Sequence, residues 1–308
     1  MLKTRMLRVG TRGSALALAQ THWVVARLRK AHSNLQLEVK KIKTSGDRIM
    51  GDLTKEGSKG LFVKEIEEAL LAGEIDLAVH SMKDLTAELP KGLAIGAVPK
   101  REDPRDALVG PFEDLDNLPI GARVGTGSLR RSLQLKALRP DVRIVPVRGN
   151  VDTRLQKLDA GQYDAVILAV AGLSRLGLKE RIGLKFEPEA MIPAIGQGAL
   201  ALEIREDDAA TRETVRTINH DQSEECVFAE RSFLKRIGGS CHTPLAGYAT
   251  LSRDRKTMNM IGMVAGPVSG RILKETIEEW EDSPDELGES LAEQLIEAGA
   301  EEILSEAV

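Results

Sequence analysis

The sequence predicts an α/β protein with two similar, doubly wound domains and a smaller α+β domain at its C-terminal end. Three observations support this prediction. A unit of strand, glycine loop and helix occurs twice, and a second unit of helix, glycine and buried strand follows each copy. From about residue 219 the pattern changes to a helix, three strand-like segments and a final helix.

The first repeated unit begins with a short strand at Leu7–Gly10, and an apolar-periodic helix starts near Ala15. Ser14 can cap this helix, because its side-chain oxygen can accept a hydrogen bond from a backbone N–H of the first turn. Residues Arg123–Ser128 echo Arg8–Ser14, and a similar helix follows them. A helix N-terminus after a glycine loop favours anion binding, but the pattern matches neither the Walker A loop nor the full dinucleotide fingerprint.

The second repeated unit follows each copy of the first. An amphipathic pattern over residues 62–71 predicts a helix that ends at Gly73, before a buried strand over 75–81. Residues 151–158 and 163–170 form the corresponding helix and strand. Two repeats of one plan predict two similar domains that face each other across a cleft.

The segments 99–104 and 193–198 are interpreted as the connections between these domains. If the strand-like segment 199–204 returns to the first sheet, the first domain is discontinuous and the two crossings form a hinge. The predicted division is residues 1–99 and 199–217 for domain 1, 104–193 for domain 2 and 219–308 for domain 3. Residues 44–60 lack both periodicities and are interpreted as a lid or as a surface loop.

The composition, with 42% hydrophobic and 29% charged residues and a net charge of −4, is that of an ordinary globular protein. Aromatic residues are only 3% of the chain, which argues against stacking surfaces for nucleic acid. The sequence has neither the pattern of a secretory signal nor an apolar run long enough to span a bilayer. Its two cysteines fit a reducing compartment. We therefore expect a cytoplasmic protein without nucleic-acid or membrane partners. A monomer is expected as well, but the composition does not determine the oligomeric state.

Cys241 lies in a loop after a predicted helix that ends at Gly238-Gly239. A free cysteine is most often a small buried hydrophobe, but the neighbours Ser240 and His242 are polar. A standing thiolate is poorly supported, because the negative end of a helix precedes the residue. A zinc site has even less support than a thiolate, since Cys226 and Cys241 each lack a second cysteine two or three positions away. The residues thus mark Cys241 as special without deciding its chemistry, and no metal site is predicted.

Polar residues follow the predicted strands of both domains, at the sheet edge where ligands of α/β proteins bind. They are Arg12, Ser14, Ser81, Lys83, Asp84, Thr126, Ser128 and Arg175. Arg130 and Arg131 open the helix after the second glycine loop, and Arg148 and Arg154 surround the start of the next helix. Guanidinium groups bind carboxylates bidentately, and cations at a helix N-terminus oppose the helix dipole, so this arrangement favours a bound polyanion over ordinary surface arginines.

Asp84 directly follows a buried strand and Lys83. A carboxylate beside cations is ordinarily ionised and only paired. In a ligand-binding cleft the same group can transfer protons or stabilise a developing cation. The sequence pattern leaves both roles open.

The chain resembles the porphobilinogen deaminase (hydroxymethylbilane synthase) family over essentially its whole length. The resemblance rests on motifs that occur in one order: Gly10–Ser14, Lys59–Phe62, His80–Asp84, Gly127–Arg131, Arg148–Arg154, Gly196–Gly198 and the Cys241 loop. It implies three domains, of which the first two are similar to type II periplasmic binding proteins, with no metal and no nucleotide.

The resemblance also implies an activity. Members of this family carry a dipyrromethane that is joined through a thioether to a cysteine, which corresponds to Cys241. On this primer they deaminate four porphobilinogen molecules and join them head to tail. Water then releases the linear tetrapyrrole hydroxymethylbilane, and the dipyrromethane stays on the enzyme.

The resemblance implies roles for individual residues as well. Asp84 is expected to be the catalytic acid and base, which assists the loss of ammonia and stabilises positive charge on pyrrole nitrogens. The residues expected to bind the cofactor, besides Cys241, are Ser81, Lys83, Thr126, Gly127, Ser128, Arg130, Arg131 and Arg154. Those expected to bind substrate and the growing chain are Arg12, Ser14, Lys59, Phe62, Arg148, Arg175 and Gln197.

Two other functional classes fit part of the sequence. A solute-binding protein would also have two echoed α/β domains and an arginine-lined cleft, but the missing secretory signal and the domain that carries Cys241 argue against it. A solute-binding protein, after denaturation, would have the mass of the chain alone. A transferase with a cysteine nucleophile would leave Cys241 open to rapid alkylation in the native state, whereas a thioether sulfur would not react.

Overall fold

The computed structural model describes residues 6–45, 63–238, 243–280 and 283–306. The chain divides into two compact units. Unit 1 consists of Met1–Arg101 and Ala199–Glu224, and unit 2 consists of Glu102–Gly198 and Glu225–Val308. The division into three domains, with the bounds given above, stays a prediction, as does the cleft.

Unit 1 is built around one mixed sheet. Its strands are β1 (Met6–Thr11), β2 (Gln36–Lys41), β3 (Leu77–Ser81), β4 (Leu93–Ala97) and β10 (Leu200–Arg205). Its helices are α1 (Ala15–Ala31), α2 (Lys64–Leu71) and α6 (Ala209–Arg216), with a 3-10 turn at Met82–Asp84. Among the described residues the strand order is β2-β1-β3-β10-β4, and β10 is antiparallel to both of its neighbours. The segment 199–204 therefore does return to the first sheet.

Unit 2 contains a second sheet of the same plan. Its strands are β5 (Asp106–Val109), β6 (Arg123–Gly125), β7 (Arg143–Val145), β8 (Ala165–Ala169) and β9 (Ile182–Lys185). Its helices are α3 (Leu129–Leu138), α4 (Val151–Asp159) and α5 (Val170–Arg175), with a 3-10 turn at Lys179–Arg181. In the described part of this unit the order is β7-β6-β8-β5-β9, with β6 parallel to β7 and β8 and with β5 antiparallel to its neighbours.

The C-terminal region is the predicted α+β part of the chain. Its elements are α7 (Asp221–Ile237), β11 (Leu245–Leu251), β12 (Thr257–Ala265), β13 (Ile272–Trp280), α8 (Pro284–Glu297) and α9 (Ala300–Ser305). The three strands form an antiparallel sheet in chain order, and α8 packs on β12 and β13. Cys226 of α7 is buried. Over the ranges described here, no helix is both long and apolar enough to cross a bilayer.

The internal repeat includes an ion pair between two neighbouring parallel strands, which occurs at the corresponding place in each sheet. Nη2 of Arg8 lies 2.7 Å from Oδ1 of Asp76, and the backbone N–H of Arg8 donates to Oδ2 at 2.9 Å. Arg123 and Asp164 make the same two contacts in unit 2, at 2.8 and 2.7 Å. Each aspartate directly precedes the strand that pairs with the strand of its arginine, so the same contact joins corresponding strands in both units.

Local signals in the sequence correctly located several helix ends. The Ser14 hydroxyl accepts a hydrogen bond from the backbone N–H of Ala17 at 3.3 Å, which confirms the predicted N-cap. Gly73 follows α2 with a φ of +69°, a conformation that favours glycine at helix ends. Of the predicted lid at 44–60, residues 46–60 lie outside the described residues, and so does residue 62 of the predicted helix.

Three buried titratable side chains of unit 1 interact electrostatically. Nε2 of His80 lies 2.9 Å from Oε2 of Glu203, and the two side chains are 3% and 0% exposed. Glu67 of α2 is also buried. Burial raises the pKa of Glu67 to about 7, and the negative charge of Glu203 adds to the rise. Folded protein therefore keeps the Glu67 proton well above the pH at which an exposed glutamate loses it.

We expect Glu67→Gln to raise the melting temperature at pH 8 and to leave it nearly unchanged at pH 5. The folded state holds the Glu67 proton up to about pH 7, whereas the unfolded chain loses it above about pH 4.5, so wild-type stability falls as the pH rises through this interval. For a protein of this size each kcal/mol corresponds to a shift of about 2–4 °C.

The measurement is the melting temperature of both proteins from pH 5 to pH 8. Glu68→Gln changes an exposed neighbour on the same helix and is the matched control. A constant difference between wild type and Glu67→Gln over this range would show that Glu67 does not titrate in it.

Candidate active site

Four predicted site residues of unit 1 line one pocket, together with Gln20 and His80. The four are Arg12, Ser14, Ser81 and Asp84, and we call the space the Asp84 pocket. The parallel neighbours β1 and β3 end at Thr11 and Ser81, so the four residues lie at the strand ends or within three positions of them. Because the carboxyl ends of parallel strands meet at one sheet edge, the chain brings these residues together there.

Gln20 is a residue of this pocket that the sequence analysis missed. Its Nε2 donates a hydrogen bond to the Ser81 hydroxyl at 2.9 Å, and its side chain is buried. Gln20 lies on the buried face of α1 beside Val24. A polar residue on an apolar helix face needs a hydrogen-bond partner, and that position was the available signal. The contact fixes the Ser81 side chain at the pocket.

Asp84 is the last residue of the turn that follows β3, and its side chain is exposed. The turn is anchored by Met82, which is buried and donates its backbone N–H to the Ala199 carbonyl at 3.0 Å. Lys83 is half-buried in the same turn. A buried anchor with an exposed carboxylate two residues later holds Asp84 among the residues that line the pocket.

Three predicted site residues of unit 2 meet on a carboxylate that the sequence analysis missed, Asp106. Asp106 is the first residue of β5, and its side chain is 0% exposed. Oδ2 accepts a hydrogen bond from Arg130 Nη2 at 2.7 Å. Oδ1 accepts from Arg131 (Nε 3.0 Å, Nη2 2.7 Å) and from Gln197 Nε2 at 2.9 Å. We call this group the Asp106 cluster.

Backbone carbonyls complete the Asp106 cluster. Arg130 Nη1 donates to the Ile192 carbonyl at 2.5 Å, and Arg131 Nη1 donates to the Ile167 carbonyl at 3.0 Å. Burial alone would favour a neutral carboxyl, but the charges of Arg130 and Arg131 outweigh it and hold the pKa of Asp106 well below its usual range. Asp106 is therefore ionised, and both guanidinium groups are fixed in place.

This cluster corrects one step of the sequence reasoning. Arg130 and Arg131 at the start of α3 were explained by a bound polyanion alone, whereas Asp106 balances one of their two charges. The available signal was a carboxylate in the otherwise apolar, fully buried strand Asp106–Val109. A charge in such a strand requires an opposite charge nearby.

Arg154 and Arg175 carry charges that the protein stabilises poorly. Arg154 Nε donates to the Gly149 carbonyl at 2.9 Å. Burial lowers the pKa of Arg154 to about 10, and the positive charge of Arg131 contributes to the fall. Arg175 Nη2 donates to the Gly198 carbonyl at 2.7 Å, and burial lowers its pKa to about 10 against the opposing charge of Glu102. Both sites would gain from an added anion.

The second glycine loop is held by its own side chains. The Thr126 hydroxyl accepts from the backbone N–H of Ser128 at 3.2 Å, and the Ser128 hydroxyl caps α3 through Arg131 N–H at 3.4 Å. A Cβ on Gly127 would lie 3.0 Å from the Val147 carbonyl oxygen, which is a tight contact, so the close approach favours glycine. The loop thereby fixes the start of the helix that carries Arg130 and Arg131.

Over the described part of the chain, the structure places none of the remaining predicted residues in the Asp84 pocket or the Asp106 cluster. Arg148 is exposed. Cys241, Lys59 and Phe62 lie outside the described residues, so their assignments stay predictions.

The chain matches two protein-family descriptions. Residues 7–213 match "Porphobilinogen deaminase, dipyromethane cofactor binding domain". Residues 224–297 match "Porphobilinogen deaminase, C-terminal domain". Together these matches cover most of the chain.

Individual proteins are similar over nearly their whole length. The porphobilinogen deaminase of Syntrophus aciditrophicus is 49% identical over 301 residues, which are 97% of this chain and 97% of that protein. The porphobilinogen deaminase of Bacillus subtilis is 48% identical over 303 residues, which are 97% of this chain and 96% of that protein.

Solved structures with similar architecture include an arginine-specific periplasmic binding protein of Salmonella typhimurium, at 14% identity and a TM-score of 0.40, covering 71% of this chain and 94% of that one. A TRAP periplasmic solute binding protein of Desulfovibrio salexigens has 12% identity and a TM-score of 0.42, covering 72% and 74%. On the family matches and the full-length relatives, this chain belongs to the porphobilinogen deaminase family.

Proposed function

We propose that Asp84 is the acid and base of the reaction, that the basic residues of unit 2 hold the carboxylates of a dipyrromethane, and that Cys241 carries this group. As a member of its family the chain is a transferase of tetrapyrrole biosynthesis that polymerises porphobilinogen with a dipyrromethane cofactor. The residue assignments are our proposal. The observation that carries it is the excess of buried positive charge at the Asp106 cluster.

The charges of unit 2 fit a ligand with carboxylate groups. Arg130 and Arg131 have one carboxylate, Asp106, between them. The pKa of Arg154 is lowered by burial and by the charge of Arg131, so a third cation lies near Arg131. Buried positive charge is costly unless an anion accompanies it, and guanidinium forks match carboxylates. When bound, the dipyrromethane supplies the pyrrole carbon to which substrate is joined.

Asp84 can serve both proton transfers of one condensation. Protonated Asp84 gives its proton to the amino nitrogen of porphobilinogen, the carbon–nitrogen bond breaks, and ammonia leaves. The Asp84 carboxylate then stabilises the positive charge that remains on the substrate. When the new carbon–carbon bond forms, Asp84 takes the proton that the attacked pyrrole carbon releases, and the starting state is restored.

Other residues of the Asp84 pocket are proposed to orient the substrate. Arg12 is suited to a substrate carboxylate, and Ser14 and Ser81 offer hydroxyl groups at the same sheet edge. Gln20 holds Ser81 in place through its 2.9 Å hydrogen bond. Positioning of this kind lowers the barrier, because the reacting groups no longer have to find their relative orientation.

We further propose that the chain acts as a cytoplasmic monomer without nucleic-acid or membrane partners. The net charge of −4 and the low aromatic content support the exclusion of nucleic acid. The small number of cysteines supports a reducing compartment.

Replacing the proposed acid and base should stop the reaction without unfolding the protein. We expect Asp84→Ala to lower the rate of ammonia release by about a hundredfold or more, because proton transfer is lost, while the exposed side chain contributes little to stability. The measurement is ammonia release, together with the melting temperature. Glu74→Ala, which removes another exposed carboxylate of unit 1, is the control. Turnover of Asp84→Ala close to that of wild type would remove Asp84 from the reaction.

Replacing the proposed attachment residue should remove the covalent pyrrole group. We expect denatured Cys241→Ser protein to have the mass of the bare chain and to give no colour with Ehrlich's aldehyde, whereas wild type gives both the added mass and the colour. Cys226→Ser changes the other cysteine, which is buried in α7, and should keep the adduct. An adduct that persists on Cys241→Ser would refute the proposed attachment.

A further inference from the structure

We infer that Asp106 is a positioning residue for the cofactor, which holds the Arg130 and Arg131 guanidinium groups in place and leaves them one excess positive charge for a ligand carboxylate. This inference rests on the proposed function, in which the two arginines bind the dipyrromethane. Asp106 itself would not contact the cofactor.

The contacts of Asp106 fix the arginines while sparing part of each guanidinium group. Arg131 uses three of its five N–H groups on Asp106 and the Ile167 carbonyl. Arg130 uses two of its five on Asp106 and the Ile192 carbonyl. With the described residues as partners, both side chains therefore keep N–H groups for a ligand. Two rigid forks can bind without first losing side-chain freedom.

The net charge of the Asp106 cluster determines that it attracts an anion. Asp106 is 0% exposed, and the Arg130 and Arg131 side chains are 5% and 8% exposed, so neither water nor salt screens the group well. One carboxylate faces two guanidinium groups and leaves a charge of about +1 before Arg154 is counted. A second carboxylate within the chain would cancel that charge and the attraction for a ligand. A single aspartate lowers the free-energy cost of burying two arginines and leaves a net positive charge that attracts an anion.

The internal repeat indicates that the fold does not require a carboxylate here. Asp106 pairs with Ala169, the last residue of β8. In the corresponding sheet of unit 1, the antiparallel strand places Leu200 opposite Ser81, the last residue of β3. Leu200 is 3% exposed, so the same position is filled by a buried apolar side chain. The aspartate of unit 2 is therefore explained by its arginines and not by the sheet.

Asp106 also joins three segments of unit 2 that are distant in the chain. It lies at the start of β5, its arginines open α3, and its fourth hydrogen bond comes from Gln197. Gln197 in turn donates to the Pro104 carbonyl at 2.7 Å. The orientation of the two guanidinium groups is thus tied to the segment before β10.

The test compares Asp106→Asn with Asp103→Asn. Asp103 is a half-buried carboxylate of the same segment that pairs with Arg105 and Lys185, so its replacement is a matched control. Each protein is prepared without cofactor and incubated with porphobilinogen, and the gain in denatured mass is followed. We expect the initial rate of adduct formation to fall at least tenfold in Asp106→Asn, with a higher porphobilinogen concentration at half-maximal rate, and to be unchanged in Asp103→Asn.

A purely structural role would lower stability but would not change the porphobilinogen concentration at half-maximal rate in protein that remains folded. Circular dichroism and the melting temperature identify the folded fraction. If Asp106→Asn does not fold, Asp106→Glu decides the matter, because it keeps the charge and displaces it by one methylene group. Adduct formation in Asp106→Glu should then be slowed, with a raised half-maximal concentration. Wild-type kinetics in the folded variant would overturn the inference.

Arg131→Gln separates this inference from the proposed function. Slow adduct formation in both Arg131→Gln and Asp106→Asn supports both. Slow formation in Arg131→Gln with wild-type kinetics in Asp106→Asn refutes the role of Asp106 and leaves the role of the arginines intact. Wild-type kinetics in Arg131→Gln refutes the assignment of Arg131 to the cofactor, and with it the basis of the inference.

Discussion

The ion cluster of one buried carboxylate and two guanidinium groups in unit 2 is the interaction on which the proposed binding chemistry depends. Two arginines at the start of α3 could not be buried together without Asp106, since each would raise the cost of the other. A second carboxylate would neutralise both arginines and remove their attraction for an anionic ligand. The observed composition, one negative and two positive charges in a site that excludes water, is both foldable and attractive to an anion.

The two sheets share their strand plan but differ in the chemistry at the corresponding edge. In unit 1 this edge carries the exposed carboxylate of Asp84 with hydroxyl groups and Arg12. In unit 2 it carries Arg130 and Arg131 on a buried carboxylate. The shared features belong to the scaffold: helix caps, glycine turns and the arginine–aspartate pairs that join corresponding strands. On the proposed assignments, a repeated scaffold carries a proton-transfer site in one unit and an anion site in the other.

Much of the fold could be predicted because its signals are local. The Ser14 cap, the glycine after α2 and the return of residues 199–204 to the first sheet follow from turn chemistry and apolar runs. The family could be identified from short motifs in one order. Asp106, Gln20 and the His80–Glu203 pair were missed as partners, because each contacts residues that are distant in the sequence. A polar residue on an apolar strand or helix face indicates that it has a hydrogen-bond partner, but only the tertiary structure identifies that partner.

The most direct test of the central claim is whether the cofactor is recognised through its carboxylates. Calorimetric titration of cofactor-free Cys241→Ser protein with a synthetic dipyrromethane bearing acetate and propionate groups measures this recognition without covalent attachment. The same titration with the fully esterified compound removes the charges and keeps the rings. We predict that the acid binds at least tenfold more tightly than the ester and that added salt weakens only the acid. Equal affinity of the acid and the ester would contradict a binding site built on excess positive charge.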